Sequence, residues 1–488
     1  MSKKTVAKNY AFNLGYQILA MLIPLITTPY LSRVLGAENI GIYSYTLSIT
    51  TYFILFGSLG VALYGQREIA YVQDNIKKRS KTFFEIFLMK CITLTISLLL
   101  FYFNFCRDGQ YNIYYRILIL EIIANAIDIS WYFQGLEEFK KTVIRNAMIK
   151  LISVACIFIF IKSSSDLNLY FIIYVLSTFL GNLSLWMYMP KYINISEFKE
   201  LNIKRHIKPA LMLFIPQVAT QIYTVLDKTM IGTIVTDKAE VGYYEQAQKI
   251  VKLLMTLATS LGTVMMPRIA STYAKGDNKK VSEYMNKSFA FIMMLAMPLM
   301  FGIISTAYSF VPIFYGPGYE KVAPLLCIIS PIIVLIGLSN VTGTQYLLPT
   351  KQQNKYTLSV VIGACVNFIL NLILIGNYAS IGASIATIIA ELSVTITQFI
   401  LIRKYIKFID VFKMTYKYFI ASIVMFAISM VVGHLIINNF LSILVQIIVS
   451  IISYFTALII LKDKMIFEGL EIFKRKLKIK GKVVEKWK

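Results

Sequence analysis

The chain of 488 residues is 57% hydrophobic and 15% charged, with 49 Lys and Arg against 25 Asp and Glu, a formal net charge of +24. A soluble domain covers itself with roughly 25% charged residues, so a chain of this length and polarity is excluded as a water-soluble globule and must turn much of its surface to lipid. Five scattered cysteines (Cys91, Cys106, Cys156, Cys327, Cys365) and two histidines, His206 and His434, show no metal-ligand spacing, which argues against a zinc site, a disulfide framework or a resident cofactor.

The N-terminal stretch Met1 to Asn9 is basic, and the apolar run behind it lacks the small residues of a signal-peptide cleavage site, so it reads as a retained first span. About twenty apolar residues cross the hydrocarbon core. That window predicts an all-α membrane protein of about fourteen transmembrane helices, at roughly 10–32, 40–64, 82–105, 113–135, 143–161, 168–189, 209–234, 241–266, 286–308, 323–348, 356–375, 380–402, 418–437 and 441–461. An even number leaves both termini on one side. With that side cytoplasmic, the outside loops hold only Arg33, Arg107, Arg116, Lys162, Lys238 and Lys321, and Lys90, Lys228, Lys249 and Lys252 fall within spans. All other lysines and arginines count to inside segments, Arg145, Lys150 and Lys287 from within the cytoplasmic halves of their windows, as the positive-inside rule requires. The basic excess is therefore a topology signal and an attraction for anionic membrane lipids, not a nucleic-acid footprint. The C-terminal stretch from Lys462, with Phe473, Leu477 and Trp487 among lysines, reads as a segment lying on the inner membrane surface.

An internal repeat organises the spans. Gly41-Ile42-Tyr43 recurs 201 residues later as Gly242-Tyr243-Tyr244, and Arg67-Glu68-Ile69-Ala70 recurs in register as Arg268-Ile269-Ala270. Each arginine leads into a polar loop, with Asp74-Asn75 and Lys77-Lys78 in the first copy and Asp277-Asn278 and Lys279-Lys280 in the second. The repeat unit is six helices, so the copies run in the same direction about a pseudo-two-fold along the membrane normal, an arrangement found in transporters with two lobes around a central site. The expected domains are an N-lobe of spans 1–6 (1–205), a C-lobe of spans 7–12 (206–405), spans 13 and 14 (406–462) and a basic cytoplasmic tail (463–488). Pro24 and Pro29 interrupt the first span and Pro216 its counterpart, the seventh; such interruptions point to the gating or hinge elements beside a substrate site, although prolines are also commoner in membrane helices generally.

A charge at mid-membrane costs about 2.5–3.5 kcal/mol on insertion scales, so each needs a reason. Glu245, Lys249 and Lys252 share one face of span 8 at i, i+4, i+7 spacing, with Gln246 and Gln248 nearby and Asp227 and Lys228 on span 7. The wall is polar with excess positive charge and suits an anionic substrate such as a diphosphate, with Lys228, Lys249, Lys252, Gln246 and Arg33 as contacts. The alternative is an internal salt-bridge set of Glu245 with Lys249 and Asp227 with Lys228. Glu121 and Asp128 lie at i, i+7 in span 4, and Glu391 in span 12; with Asp227 they are candidates for proton binding in a coupled cycle, or for structural pairing, for instance with Lys90.

These residues carry a family likeness. Pro29-Tyr30-Leu31-Ser32-Arg33-Val34-Leu35-Gly36 followed by Gly41-Ile42-Tyr43 resembles the opening of bacterial polysaccharide (O-antigen or capsule) repeat-unit flippases of the multidrug/oligosaccharidyl-lipid/polysaccharide exporter superfamily. Tyr64-Gly65-Gln66-Arg67-Glu68, Leu226-Asp227-Lys228, Val241-Gly242-Tyr243-Tyr244 and Pro267-Arg268 extend the resemblance over almost the whole chain. It implies two six-helix lobes and alternating access in the bacterial plasma membrane. The implied cargo is an undecaprenyl-diphosphate-linked oligosaccharide, and association with polysaccharide-assembly proteins is a further expectation. A multidrug exporter of the same fold predicts twelve helices and an acidic cavity. A peptidoglycan-precursor flippase shares the helix number and the cationic cavity. A membrane polymerase or glycosyltransferase, an enzyme, needs a large external loop with catalytic groups, whereas the loop around Asp237 and Glu240 is too small for a pocket.

Overall fold

The computed structural model describes residues 3–199, 201–406 and 408–468; within them the side chains of 3–18 and of a few further helical positions, Pro216 and Tyr223 among them, lie outside the described residues. Helix accounts for 85% of the structure, and the described residues contain no strand. Among the described residues, eight helices are long and apolar enough on their own to cross a membrane, and the bent pair Ala239–Thr259 with Val264–Ala274 makes a ninth if taken as one span. Two of the eight, Met21–Tyr71 and Gln353–Ile402, run for 51 and 50 residues, more than twice the length of one crossing. Each is broken inside, at Gly36 (φ 79°, ψ 169°) and at Ala379 (φ 48°, ψ −126°). Gly36 has no Cβ to oppose a positive φ, which is why the chain turns there, and Pro24 and Pro29 remain inside helical backbone. The windows at 10–32 and 40–64 flank the first break, and those at 356–375 and 380–402 flank the second.

The chain divides into two compact units, Met1–Glu245 and Gln246–Lys488. The first contains α1 (Lys3–Ser58), α2 (Val61–Tyr71), α3 (Ile76–Phe101), α4 (Asn112–Ala126), α5 (Ser130–Gly135), α6 (Phe139–Phe160), α7 (Leu167–Trp186), α8 (Lys204–Ile234) and the start of α9 (Ala239–Thr259). Two apolar cores hold it together. One gathers Tyr64, Phe83, Ile86, Met89, Trp131, Tyr132 and Leu185, from α2, the first turns of α3, α5 and the end of α7. The other gathers Ile49, Leu94, Phe101, Tyr115, Leu118 and Phe171, from α1, the later turns of α3, α4 and the start of α7. Lys90 lies on α3 between the residues of the two cores.

The segment between α7 and α8 is clamped onto α3 by polar bonds. Arg79 donates to the Tyr192 carbonyl at 2.8 Å, the Tyr132 hydroxyl donates to the same oxygen at 2.9 Å, and the Asn194 amide donates to Ser80 Oγ at 2.8 Å. The carboxylate of Glu85, fully buried on α3, accepts from the Asn202 amide at 2.8 Å and from Arg205, and lies 2.9 Å from His206 Nε2. The other ring nitrogen of His206 meets the Tyr64 hydroxyl at 2.6 Å.

The second unit is built from the remainder of α9, α10 (Gly262–Ala274), α11 (Asn278–Phe314), α12 (Val322–Ile329), α13 (Ile332–Ser339), α14 (Gln353–Ile402), α15 (Phe408–Leu435) and α16 (Asn439–Ile460). Pro331, which has no amide hydrogen to continue a helix, separates α12 from α13. A π-helical stretch, Asn340–Leu347, follows. The last two helices dock on α11 through small and polar residues: Ser429 Oγ donates to Ser305 Oγ at 3.0 Å, Gln446 to the Ser429 carbonyl at 3.0 Å, and the Tyr454 hydroxyl to the Met294 carbonyl at 2.7 Å. Hydrophobicity does not drive helices together in lipid, so close packing and such bonds must do so. Of the cysteines, Cys106 is buried, Cys365 exposed and the other three intermediate, all as free thiols.

Removing the buried Glu85 carboxylate leaves the Asn202 amide and His206 without their partner, at about 1–3 kcal/mol for an unsatisfied buried polar group, whereas Arg205, 48% exposed, can turn to solvent. Glu85→Ala is therefore expected to lower the melting temperature of the detergent-solubilised protein and to expose the segment at 187–203 to protease, both read against wild type.

Candidate functional site

The polar groups at membrane depth in the first unit form two clusters. One lies where α4 gives way to α5. The i→i−4 ladder stops at Ile127–Ile129, so the last carbonyls of α4 need partners from elsewhere, and no water is available in hydrocarbon to supply them. Neighbouring helices meet three carbonyls across the break, at Ala124, Ile127 and Asp128. Asn182 of α7 donates to the Ala124 carbonyl at 2.8 Å, Trp186 Nε1 to the Ile127 carbonyl at 2.8 Å, and Lys90 Nζ of α3 to the Asp128 carbonyl at 3.0 Å. The Asp128 carboxylate accepts from the Ser130 amide at 2.9 Å and from the Ser130 hydroxyl, capping α5. Arg145 of α6 donates to the Gly181 carbonyl at 2.8 Å, to Asn182 Oδ1 at 3.0 Å and to Ser130 Oγ at 3.3 Å.

Glu121 lies one to two turns before the break, 6% exposed, with one carboxylate oxygen outside any hydrogen bond and Thr178 as a side-chain partner. Beyond it Tyr43, Tyr170 and Tyr174 pack ring to ring, Tyr43 lying 4.8 and 5.6 Å from the other two. The sequence expectation that Glu121 and Asp128 share a helix face by i, i+7 spacing does not hold, because the helix ends between them. The two carboxylates have separate surroundings. One is capped and beside a cation, the other buried among hydroxyls.

The second cluster joins α8 to α9. Lys228 Nζ lies 3.0 Å from Glu245 Oε2, each side chain 23% exposed, and the Tyr244 hydroxyl donates to the Asp227 carboxylate, which is buried. The pairing that forms is thus between helices, two adjacent residues on α8 against two adjacent residues on α9. The sequence alternatives, Asp227 with Lys228 and Glu245 with Lys249, paired residues by position along one helix. Thr229, next on α8, donates to the Tyr52 hydroxyl of α1 at 3.2 Å and meets Ser48 Oγ at 2.8 Å. Arg33 is exposed, its guanidinium 3.4 Å from the Pro29 carbonyl.

In the second unit Gln246 is buried, and its backbone carbonyl accepts from the Tyr315 hydroxyl at 2.9 Å. Farther along α9, Lys249 is half-buried and Lys252 exposed. Glu391 is buried on α14. The same helix holds a fully buried amide pair, with Asn371 Nδ2 donating to Asn367 Oδ1 at 3.1 Å, and Gln398, which bridges Thr342 of the π-helical stretch and Ser359. Sequence reasoning that started from ionisable residues, with the glutamines beside them, passed over Asn182, Trp186, Asn367, Asn371 and Gln398. The signal was present as polar side chains inside apolar windows, and for the broken helix as Asn125, Asp128 and Ser130 in one span.

Residues 6–273 match the family model described as polysaccharide biosynthesis protein, and residues 151–455 match that described as lipid II flippase MurJ, each more than half of the chain. The chain belongs to the polysaccharide flippases of the multidrug/oligosaccharidyl-lipid/polysaccharide exporter superfamily. Among members of this family, a putative O-antigen transporter of Escherichia coli K12 is 26% identical over 82% of this chain and 98% of its own length. The capsular polysaccharide biosynthesis protein CapF of Staphylococcus aureus is 22% identical over 83% and 99%. In fold, the flippase resembles a solved lipid II flippase MurJ in an inward closed conformation, with a TM-score of 0.73 at 18% identity over 93% of this chain and all of that one. An inward-facing multidrug transporter of the MATE family follows at a TM-score of 0.59 and 13% identity over 78% of this chain and 93% of that one. Within the flippase fold the Lys228–Glu245 pair is testable directly. Residues in contact couple by about 0.5–3 kcal/mol, so Lys228→Glu and Glu245→Lys are each expected to lower thermal stability and the double exchange to recover most of the loss.

Proposed function

We propose that this flippase carries an undecaprenyl-diphosphate-linked oligosaccharide repeat unit from the inner to the outer leaflet of the bacterial plasma membrane by alternating access, for surface polysaccharide synthesis. In this reading the chain has fourteen spans, both termini cytoplasmic, two six-helix lobes (1–205 and 206–405), two further helices and a basic tail. The observation that carries it is a run of cations on membrane-embedded helices, Lys228, Lys249 and Lys252, in a chain whose relatives match over nearly their whole length and are named for O-antigen transport and capsule synthesis. Lys228, Lys249, Lys252, Gln246 and Arg33 bind the diphosphate and neighbouring sugar, because ammonium groups neutralise phosphate oxygens without demanding one geometry. Asp227, Asp128, Glu121 and Glu391 supply the proton-binding groups of a coupled cycle; Glu121, buried with one oxygen unbonded, is the best placed of them to exist in a neutral form. Pro24, Pro29 and Pro216 soften the first and seventh spans.

A second reading, a peptidoglycan lipid-precursor flippase, is favoured by the match of residues 151–455 to the MurJ model. Both cargoes are polyprenyl diphosphates, so the cationic site serves either. Deleting the gene and analysing membrane lipids separates them: a diphosphate-linked oligosaccharide stranded on the inner leaflet is expected, whereas accumulation of the peptidoglycan precursor supports the second reading. Lys249→Gln and Lys252→Gln are each expected to abolish surface polysaccharide while the protein stays inserted at wild-type level; normal polymer in both variants removes these lysines from the site. Glu121→Gln is expected to flatten the pH dependence of transport into liposomes, and a profile identical to wild type assigns coupling elsewhere.

A further inference from the structure

The repeat seen in the sequence has a physical counterpart inside the first unit. Gly41 and Gly242 are repeat equivalents, and so are Ala37 and Lys238, each pair 201 residues apart. A Cβ on Gly41 would overlap the carbonyl oxygen of Lys238, and a Cβ on Gly242 would overlap the carbonyl oxygen of Ala37. The same two Cβ positions lie 3.1 Å from Gly242 N and 3.2 Å from Gly41 N. Residue i meets j as j meets i, which is the mark of a contact crossed by a two-fold axis. Each glycine sits in the first turns after a break, Gly41 after Gly36 in α1 and Gly242 at the start of α9. The sequence Ala37-x-x-x-Gly41 is the small-residue spacing that lets helices in lipid meet backbone to backbone.

A seam of hydroxyls continues from this point down α1. Gly41, Tyr45, Ser48 and Tyr52 follow one face of the helix at i, i+4, i+7, i+11. The Tyr45 ring occupies the space a side chain at Gly232 would need, and its hydroxyl lies 3.5 Å from Thr233 Oγ1; Ser48 and Tyr52 both meet Thr229. Lys238 fixes the carbonyl facing Gly41, because its own Nζ donates to the Gly232 and Val235 carbonyls at 2.7 and 2.8 Å and lies 5.3 Å from the Tyr45 ring centre. Hydroxyl pairs of this kind exchange with water at small net cost, so the seam can part and re-form where a dry apolar one would resist. Gly41 lies in the first external loop region and Gly242 in the fourth, on the side from which lysine and arginine are depleted.

We propose that the Gly41–Gly242 contact is the outer seal of the flippase, closing on the axis of its internal repeat so that the compartment behind Ser48 and Thr229 is shut from outside. The seal rests on the transport reading for its role, but its test needs no cargo. In a chain whose five natural cysteines are replaced by serine, a single cysteine is placed at Thr229 and labelled in intact cells with a membrane-impermeant maleimide. Labelling is expected to be slow, and about tenfold or more faster when Gly41→Ala or Gly242→Ala forces the backbones apart. Gly302→Ala, where a Cβ meets nothing within 4 Å, is the control and should leave the rate unchanged. Equal rates in all backgrounds, or acceleration only when the reagent reaches the inner face in inverted vesicles, overturn the proposal. Should the alanine variants fail to accumulate, the glycines are kept and Ser48→Cys is combined with Thr229→Cys. Oxidation is expected to cross-link the pair and arrest surface-polymer export until reductant is added; export undiminished in the cross-linked protein overturns the proposal equally.

Discussion

A carbonyl or amide inside hydrocarbon has no water to turn to, and this absence shapes every irregular element of the flippase. Where α4 stops short at Ala126, three carbonyls are met by an amide, an indole and an ammonium from two other helices. A straight helix would have needed none of them. The break therefore draws Lys90, Asn182 and Trp186 inward and creates a polar layer between two apolar cores, in which the Asp128 carboxylate stands among two cations, Lys90 and Arg145. Burying such groups is costly unless all are bonded, and the bond set here is dense.

The ion pairs obey a related constraint. Lys228 and Glu245 are neither sealed nor freely solvated, each side chain 23% exposed. A fully buried pair would hold its partners too tightly to release them, and a fully exposed pair would be worth little. In between, the pair is held but still open to water. Farther along α9, Lys249 is half-buried and Lys252 exposed, so one helix presents cations at graded exposure. Glu85 is the contrasting case. It is fully buried, it engages Asn202, Arg205 and His206 together, and it serves as an anchor for the segment that connects α7 and α8.

The glycine contact shows how symmetry and flexibility meet. Two backbones that touch through Cα atoms contribute no side chains to lock them, and the bonds beside them are hydroxyl to hydroxyl. Tight approach and easy separation then come from the same residues, which a leucine-packed interface would not allow.

Particular motifs carried the internal repeat and the family likeness, while composition and hydropathy determined the solvent of this protein and its helical class. These depend on sums over many residues, and a shortage of charge or a twenty-residue apolar window is visible without coordinates. The breaks at Gly36 and at 375–380 were also legible, as gaps between windows. The helix end at Ala126 was not: no glycine or proline marks it, and Asn125, Asp128 and Ser130 act as stop signals only because Lys90, Asn182 and Trp186 stand ready to bond the freed carbonyls. Partner choice was equally hidden. Position along one helix suggested Asp227 with Lys228 and Glu245 with Lys249; the contacts of Lys228 with Glu245 and of Asp227 with Tyr244 cross between two helices, which no single-helix pattern can show. The repeat was readable as matching letters, but that Gly41 and Gly242 touch one another was decided only by folding, because a one-dimensional match carries no information on where the axis relating its copies passes.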